Sequence, residues 1–260
     1  MQTALFIIAL CIIAAILYAV FKPKDPQVQP SLETEKQLLQ QHVLFYSQLT
    51  TEEKTRFEET LRKFLQTVRI TGVKTVVEDI DRVFVAAAAI IPVFAFKDWE
   101  YLHIHEVLLY PGSFNKDFQL SGAGRNILGM VGNGPMQDTM ILSRQDLRNG
   151  FLNNNGKSNT AIHEFVHLID KADGDTDGLP EALLAHQYVI PWLQRIHQEI
   201  ELIKAGQSDI DLYAATSETE FFAVAAEYFF EKPQLMQEKH PVLFQLLQQI
   251  FKPVTAAVTK

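Results

Sequence analysis

The sequence has one cysteine, Cys11, set inside an apolar run, so no intramolecular disulfide can form and stability must come from the core or from a metal. Positive charge is also scarce. Against 31 Asp and Glu stand 23 Lys and Arg, a formal net charge of −8, and the basic residues are scattered rather than gathered in a stripe. A chain like this has no electrostatic grip on a phosphate backbone, which argues against nucleic acid as a partner. There is no internal repeat and no fibrous or disordered composition. With 47% of its 260 residues apolar, the chain can bury one sizeable domain, or at most two small ones.

Charge is missing altogether from Thr3 to Phe21, TALFIIALCIIAAILYAVF, which is long enough to cross a bilayer as one transmembrane helix. A cleaved signal peptide is the rival reading. It is opposed by the lack of Lys or Arg ahead of the run and by the poor small-x-small site around Leu17 and Ala19. Leu10, bulky where a small residue should precede Cys11, argues against a lipoprotein signal. Lys22 and Lys24 follow the span directly and nothing basic precedes it, which places the C-terminal side in the cytoplasm. The expected protein is single-pass, with its membrane contact through residues 3–21.

Pro23 to Ser31, with three prolines and no apolar periodicity, reads as a semi-rigid linker. The organisation expected is an anchor over residues 1–22, a linker over 23–35 and one domain over 36–260. Glu33 to Phe45 has a helical pattern, and Thr50 with Glu53 forms a capping box ahead of a stripe of Phe57, Leu61, Phe64, Leu65 and Val68. HIHEVLLYP and DTMILS read as strands, whereas VFVAAAAIIPVFAF fits helix or strand. NGFLNNNGKSN reads as a mobile loop. Helices are expected at about Thr160 to Lys171, Glu181 to Ala205, Glu218 to Glu231 and Pro241 to Phe251. The fold class is α+β, mostly helical with a small sheet.

The chemistry is carried by TAIHEFVHLI, which contains HExxH at His163, Glu164 and His167. Residues four apart on a helix stack on one face, so the two imidazoles can share a cation while Glu164, one step round, can reach a water on it. Such a site suits one zinc per chain and the hydrolysis of amides. The third ligand is open on spacing alone. Asp173, six after His167, is one candidate, although Asp170 stands where a turn-making glycine would help it. SETEFFAVAAEYFFE offers another on a later helix: Glu220, Val224, Glu227 and Glu231 lie close to one face, and Glu227 could orient a ligand imidazole. Against this, Ser217 to Glu220 also spells a capping box, which would occupy Glu220 at the helix start. Asp170 could partner His167, and His103 with His105 alternate on one strand face, open to a second metal or to plain surface. DGDTDG imitates the start of an EF-hand, but its twelfth position is Leu184 and not a bidentate Glu.

Taken together, IHEFVHLID, DGDTDGLP, DLYAATSETEFFAVAAEYFFEKPQ and the upstream IHEVLLYPGSF resemble the Mlc titration factor A family, the MtfA-like zinc peptidases, from about Leu61 to Lys252. The resemblance implies a zincin-like metallopeptidase domain, a peptide or protein substrate, and Glu220 as third zinc ligand beside His163 and His167. An upstream histidine assigned to the metal in some members has no counterpart in SGAGRNILGMVGNG. The Glu220 segment is also similar to a helix of the anthrax lethal factor metalloprotease, which implies that Tyr213 assists the oxyanion while Glu164 acts as general base. The family's name further implies a transcriptional regulator as a partner, and with it an alternative in which the protein is chiefly a zinc-organised binding module.

Overall fold

The computed structural model of the chain describes residues 29–132, 136, 138–153 and 156–251. The apolar segment Thr3–Phe21 and residues 23–28 of the proline-rich linker lie outside the described residues. Among the described residues no helix is long and apolar enough to cross a membrane.

Helix α1, Leu32–His42, begins where the Ser31 hydroxyl accepts the Thr34 N–H. It stops at Val43, whose extended backbone tucks a buried side chain into the core, and the chain resumes as a single turn, α2, Leu44–Ser47. The helix expected across Glu33 to Phe45 is therefore two pieces. Helix α3, Thr51–Thr67, carries the expected capping box: Thr50 Oγ1 accepts the Glu53 N–H and the Glu53 carboxylate accepts the Thr50 N–H. Strand β1 is Arg69–Gly72. The ambiguous apolar run forms α4, Asp79–Ile90, ended by the 3₁₀ turn Ile91–Val93 that contains Pro92. From Val83 to Ile90 every residue of α4 is buried, so no polar face marks its period.

Strands β2 (Glu106–Tyr110), β3 (Gly129–Val131) and β4 (Thr139–Ser143) complete a mixed sheet of order β1-β2-β4-β3. β1, β2 and β4 run parallel, and β3 runs antiparallel to β4 along one edge. Alternation sorts the strand side chains. Val107, Leu109, Met140 and Leu142 face the main core, whereas Leu108, Tyr110, Met130 and Ile141 face a second cluster closed by Phe114.

Helix α5, Arg144–Leu152, is capped by Ser143 and takes the first four residues of the expected loop Asn149–Asn159. Then come α6 (Thr160–Asp170), α7 (Val189–Lys204), α8 (Glu218–Glu231), α9 (Pro233–Lys239) and α10 (Pro241–Phe251). Helix α7 starts eight residues later than the pattern suggests, because turns and the 3₁₀ segment His186–Tyr188 occupy the chain after Pro180. The back of α6 is fixed by Phe165, fully buried and packed against Phe64 and Tyr101 with ring centroids at 5.8 and 5.4 Å. Truncating such a ring costs about 3–5 kcal/mol. The other flank of α6 packs on α8 and runs beside β3.

Candidate metal centre

Helix α6 starts at Asn159, a buried residue that uses three of its polar groups. Its Oδ1 accepts the Ile162 N–H at 3.3 Å, its own N–H donates to Glu227 Oε2 at 2.5 Å, and its Nδ2 donates to Glu231 Oε1 at 2.9 Å. One side chain thus sets the helix start and its spacing from α8. Gly150 makes room for it: a Cβ there would come 2.7 Å from Asn159. Ala161, Ile162, Phe165, Val166 and Ile169 are fully buried on the back of the helix.

The start of α8 is fixed from the other end of α6. Asp170 Oδ2 accepts the Gly178 N–H at 2.9 Å, and the Gly178 carbonyl accepts the Trp192 indole N–H at 2.8 Å. Gly178 has φ +79° and lies so close to α8 that a Cβ would stand 2.4 Å from the Glu218 carbonyl oxygen. Burial raises the Asp170 carboxyl to about 6. Asp170 thus anchors the loop through Oδ2.

Between these fixed points the histidines and Glu220 converge. His163 Nε2 is 3.0 Å from His167 Nε2 and 3.0 Å from Glu220 Oε2, and His167 Nε2 is 3.5 Å from that same oxygen. Among the described residues this is the only group whose donor atoms gather closely enough, within 4.8 Å of one another, to hold a metal ion. Glu220 is free to join because only half of the anticipated capping box forms. Ser217 Oγ accepts the Glu220 N–H at 3.1 Å, while the Glu220 carboxylate turns to the histidines.

The donor chemistry fits a divalent cation. Glu227 Oε1 lies 2.7 Å from His163 Nδ1 and accepts its N–H, which leaves a lone pair on Nε2. That lone pair faces a carboxylate and a second imidazole nitrogen, an arrangement that needs a positive charge at its centre. A tetrahedral zinc with bonds of about 2.0–2.1 Å holds its nitrogen ligands roughly 3.3 Å apart, close to the separation here. Without a metal, protons answer the same demand: burial pulls His163 down, yet Glu220 and Glu227 outweigh it and raise it to about 10. Burial likewise acts to raise Glu220, but the two imidazoles hold it well below the usual carboxylate range.

Glu164 is buried beside this group, and burial raises its carboxyl despite both histidines. Tyr213, 52% exposed and therefore no core residue, tilts its ring 6.1 Å from that of His163. Burial, and next the Glu220 charge, raise its hydroxyl to about 12. A cleft of about 660 Å3 is lined by His163, Glu164, Tyr213 and Glu227 together with Leu128, Gly129, Ile210 and Tyr228.

The remaining candidates lie apart from it. Asp173 is exposed and accepts the Asp175 and Glu181 N–H groups at 3.3 and 3.0 Å, so its carboxylate shapes the loop. His103 and His105 stand 4.0 and 3.9 Å from Asp138 on the exposed approach to β2. Asn159 and Gly129 are the site residues to which the sequence pattern assigned no role. Only Asn159 had a legible signal, an Asn in the capping position just before the apolar helix.

Residues 22–252 match the glucose-regulated metallo-peptidase M90 family. The Mlc titration factor A of Escherichia fergusonii is 32% identical over 221 residues, 78% of this chain and 80% of that protein. The Mlc titration factor A of Salmonella arizonae is 29% identical over 222 residues, 78% and 85% of the two chains.

Proposed function

This chain belongs to the glucose-regulated metallo-peptidase M90 family, and from that premise we propose that it is a zinc-dependent peptidase in which His163, His167 and Glu220 hold the metal and Glu164 carries the proton. The observation behind this reading is the convergence of two imidazole nitrogens and one carboxylate oxygen, with His163 of that group and Glu164 lining a cleft. Two imidazoles and a carboxylate suit zinc and leave a position open for chemistry. Zinc held there supplies Lewis acidity, polarising a peptide carbonyl and acidifying water towards neutrality.

The protein's own groups do the rest. Glu164, whose carboxyl burial raises and so makes a better proton acceptor, takes one proton from the attacking water and passes it to the departing amine. Tyr213 stays protonated until about pH 12 and donates a hydrogen bond to the oxyanion that develops on the substrate. Glu227 fixes the His163 ring so that Nε2 faces the metal position. The peptide lies in the cleft between Leu128 and Ile210.

Replacing Glu164 by Gln tests the assignment: the variant should keep its metal and lose hydrolysis of short peptides, and a metal-loaded variant with parental turnover would end the reading. Two further parts belong to the proposal. Residues 3–21 are apolar enough to anchor the protein in a membrane, checked by whether the full chain partitions with membranes. The names of the relatives suggest binding of a regulator, which Glu164→Gln would retain if that role is separable from hydrolysis.

A further inference from the structure

Strand β3 borders the cleft, and its three residues alternate. Met130 packs into the second cluster and Val131 against the main core, so Gly129 shares the face of Val131, the one turned to α6. The strand is held in place there: Gly129 pairs with Leu142, and the Leu128 carbonyl accepts the Ser143 N–H at 2.7 Å. A Cβ at position 129 would stand 2.6 Å from Cγ and Oε1 of Glu164 and 2.8 Å from its Cδ. All three obstructing atoms belong to the one side chain. Gly129 is not among the positive-φ glycines, so its backbone conformation is open to alanine and the glycine is there for space alone.

We propose that Gly129 is a positioning residue for Glu164: the side chain missing from β3 forms the seat that holds the Glu164 carboxylate at the cleft floor. The inference rests on the reading of Glu164 as the proton carrier. The seat is narrow because α6 and β3 are both fixed by their own packing, so the carboxylate alone can yield to an added methyl. Other glycines differ in kind. A Cβ at Gly132 would meet the Met136 carbonyl oxygen at 2.0 Å, a backbone clash that would disturb the fold itself.

The test uses the full-length chain carrying Gly129→Ala, Glu164→Ala or both. Gly129→Ala should retain the parental metal content, keep KM within about threefold and lower kcat about a hundredfold, the scale of a misplaced catalytic group. A general packing defect does not predict the stability pattern. Gly129→Ala should lower Tm in the presence of Glu164 and not when residue 164 is already Ala, because the clash has gone. Parental kcat in Gly129→Ala, or an equal Tm loss with and without Glu164, overturns the proposal. Should Gly129→Ala fail to fold, the double variant decides: a folded double variant supports the seat, and an unfolded one overturns it. Full turnover by Glu164→Gln would sink the peptidase reading instead, and the Tm coupling would still report on the seat.

Discussion

Two imidazoles in this protein sit between pairs of carboxylates. His163 has Glu227 at 2.7 Å and Glu220 at 3.0 Å, and His240 has Asp209 at 2.7 Å and Glu199 at 3.6 Å. Each group also has a tyrosine: Tyr213 beside Glu220, and Tyr228, whose hydroxyl donates to Asp209 at 3.0 Å. They differ in cationic side chains. Asp209 also receives Lys157 and Lys239, and Glu199 receives Arg195, whereas among the described residues the ionic contacts of Glu220 and Glu227 are to imidazoles alone. One group closes its charge within the chain and acts as a clasp between the segment around Asp209 and the turn between α9 and α10. Among the described residues the other has no cationic side chain to close its negative charge, as befits a site for an added cation.

The comparison breaks most visibly with Glu220→Ala. This variant should lose its metal together with peptide hydrolysis, whereas the equivalent change at Asp209 should leave metal content at the parental level, both read by elemental analysis of purified protein. Glu227→Ala comes next. Freeing the His163 ring should weaken metal affinity about 10- to 100-fold, measured by competition with a chelator. For the clasp, His240→Gln should cost about 1–3 kcal/mol in urea denaturation without changing metal content. Its pH dependence has a defined sign. Glu199 foremost, with Asp209, raises His240, so its contribution is complete below the unfolded value of 6.5 and is lost as pH rises through the folded one. Burial opposes the Asp209 charge, but Lys157 and the other donors hold the carboxyl well below normal, so its share is present above 3.8 and lost on acidification. The stability deficit of His240→Gln should accordingly be greatest between about pH 4 and 6.5. The smallest effects separate the tyrosines. Tyr213→Phe should lower kcat about tenfold with Tm unchanged, and Tyr228→Phe should cost about 1 kcal/mol of stability with kcat unchanged.

Much of this was legible because local rules are strong at particular residues. Thr50 and Glu53 announce their helix, Glu218–Glu231 has its end points, and the i,i+4 histidines can share a face only as a helix. The sheet was half hidden. β1 is four residues long and β3 three, too short to display a period, and β3 is defined by its antiparallel pairing with the next strand, β4. The run in α4 is apolar on every side and so could not declare helix or strand. Within the candidate site, the choice between capping and metal binding for Glu220 depends on where the Glu220 carboxylate turns, which needs α6 opposite. Gly129 was invisible for a plainer reason: its contribution is a side chain that is not there.

Glu220, Glu227 and Glu231 meet α6 from a single stiff rod. Eleven residues at about 1.5 Å each separate the first from the last, and the three contact His163 and His167, His163 again, and Asn159. A rod has one angle of roll, so a small rotation of α8 would misdirect all three carboxylates together. Damage to this alignment, from a distant cavity or a rising temperature, should therefore reach the centre as a single concerted failure, with no intermediate state in which two contacts survive the third.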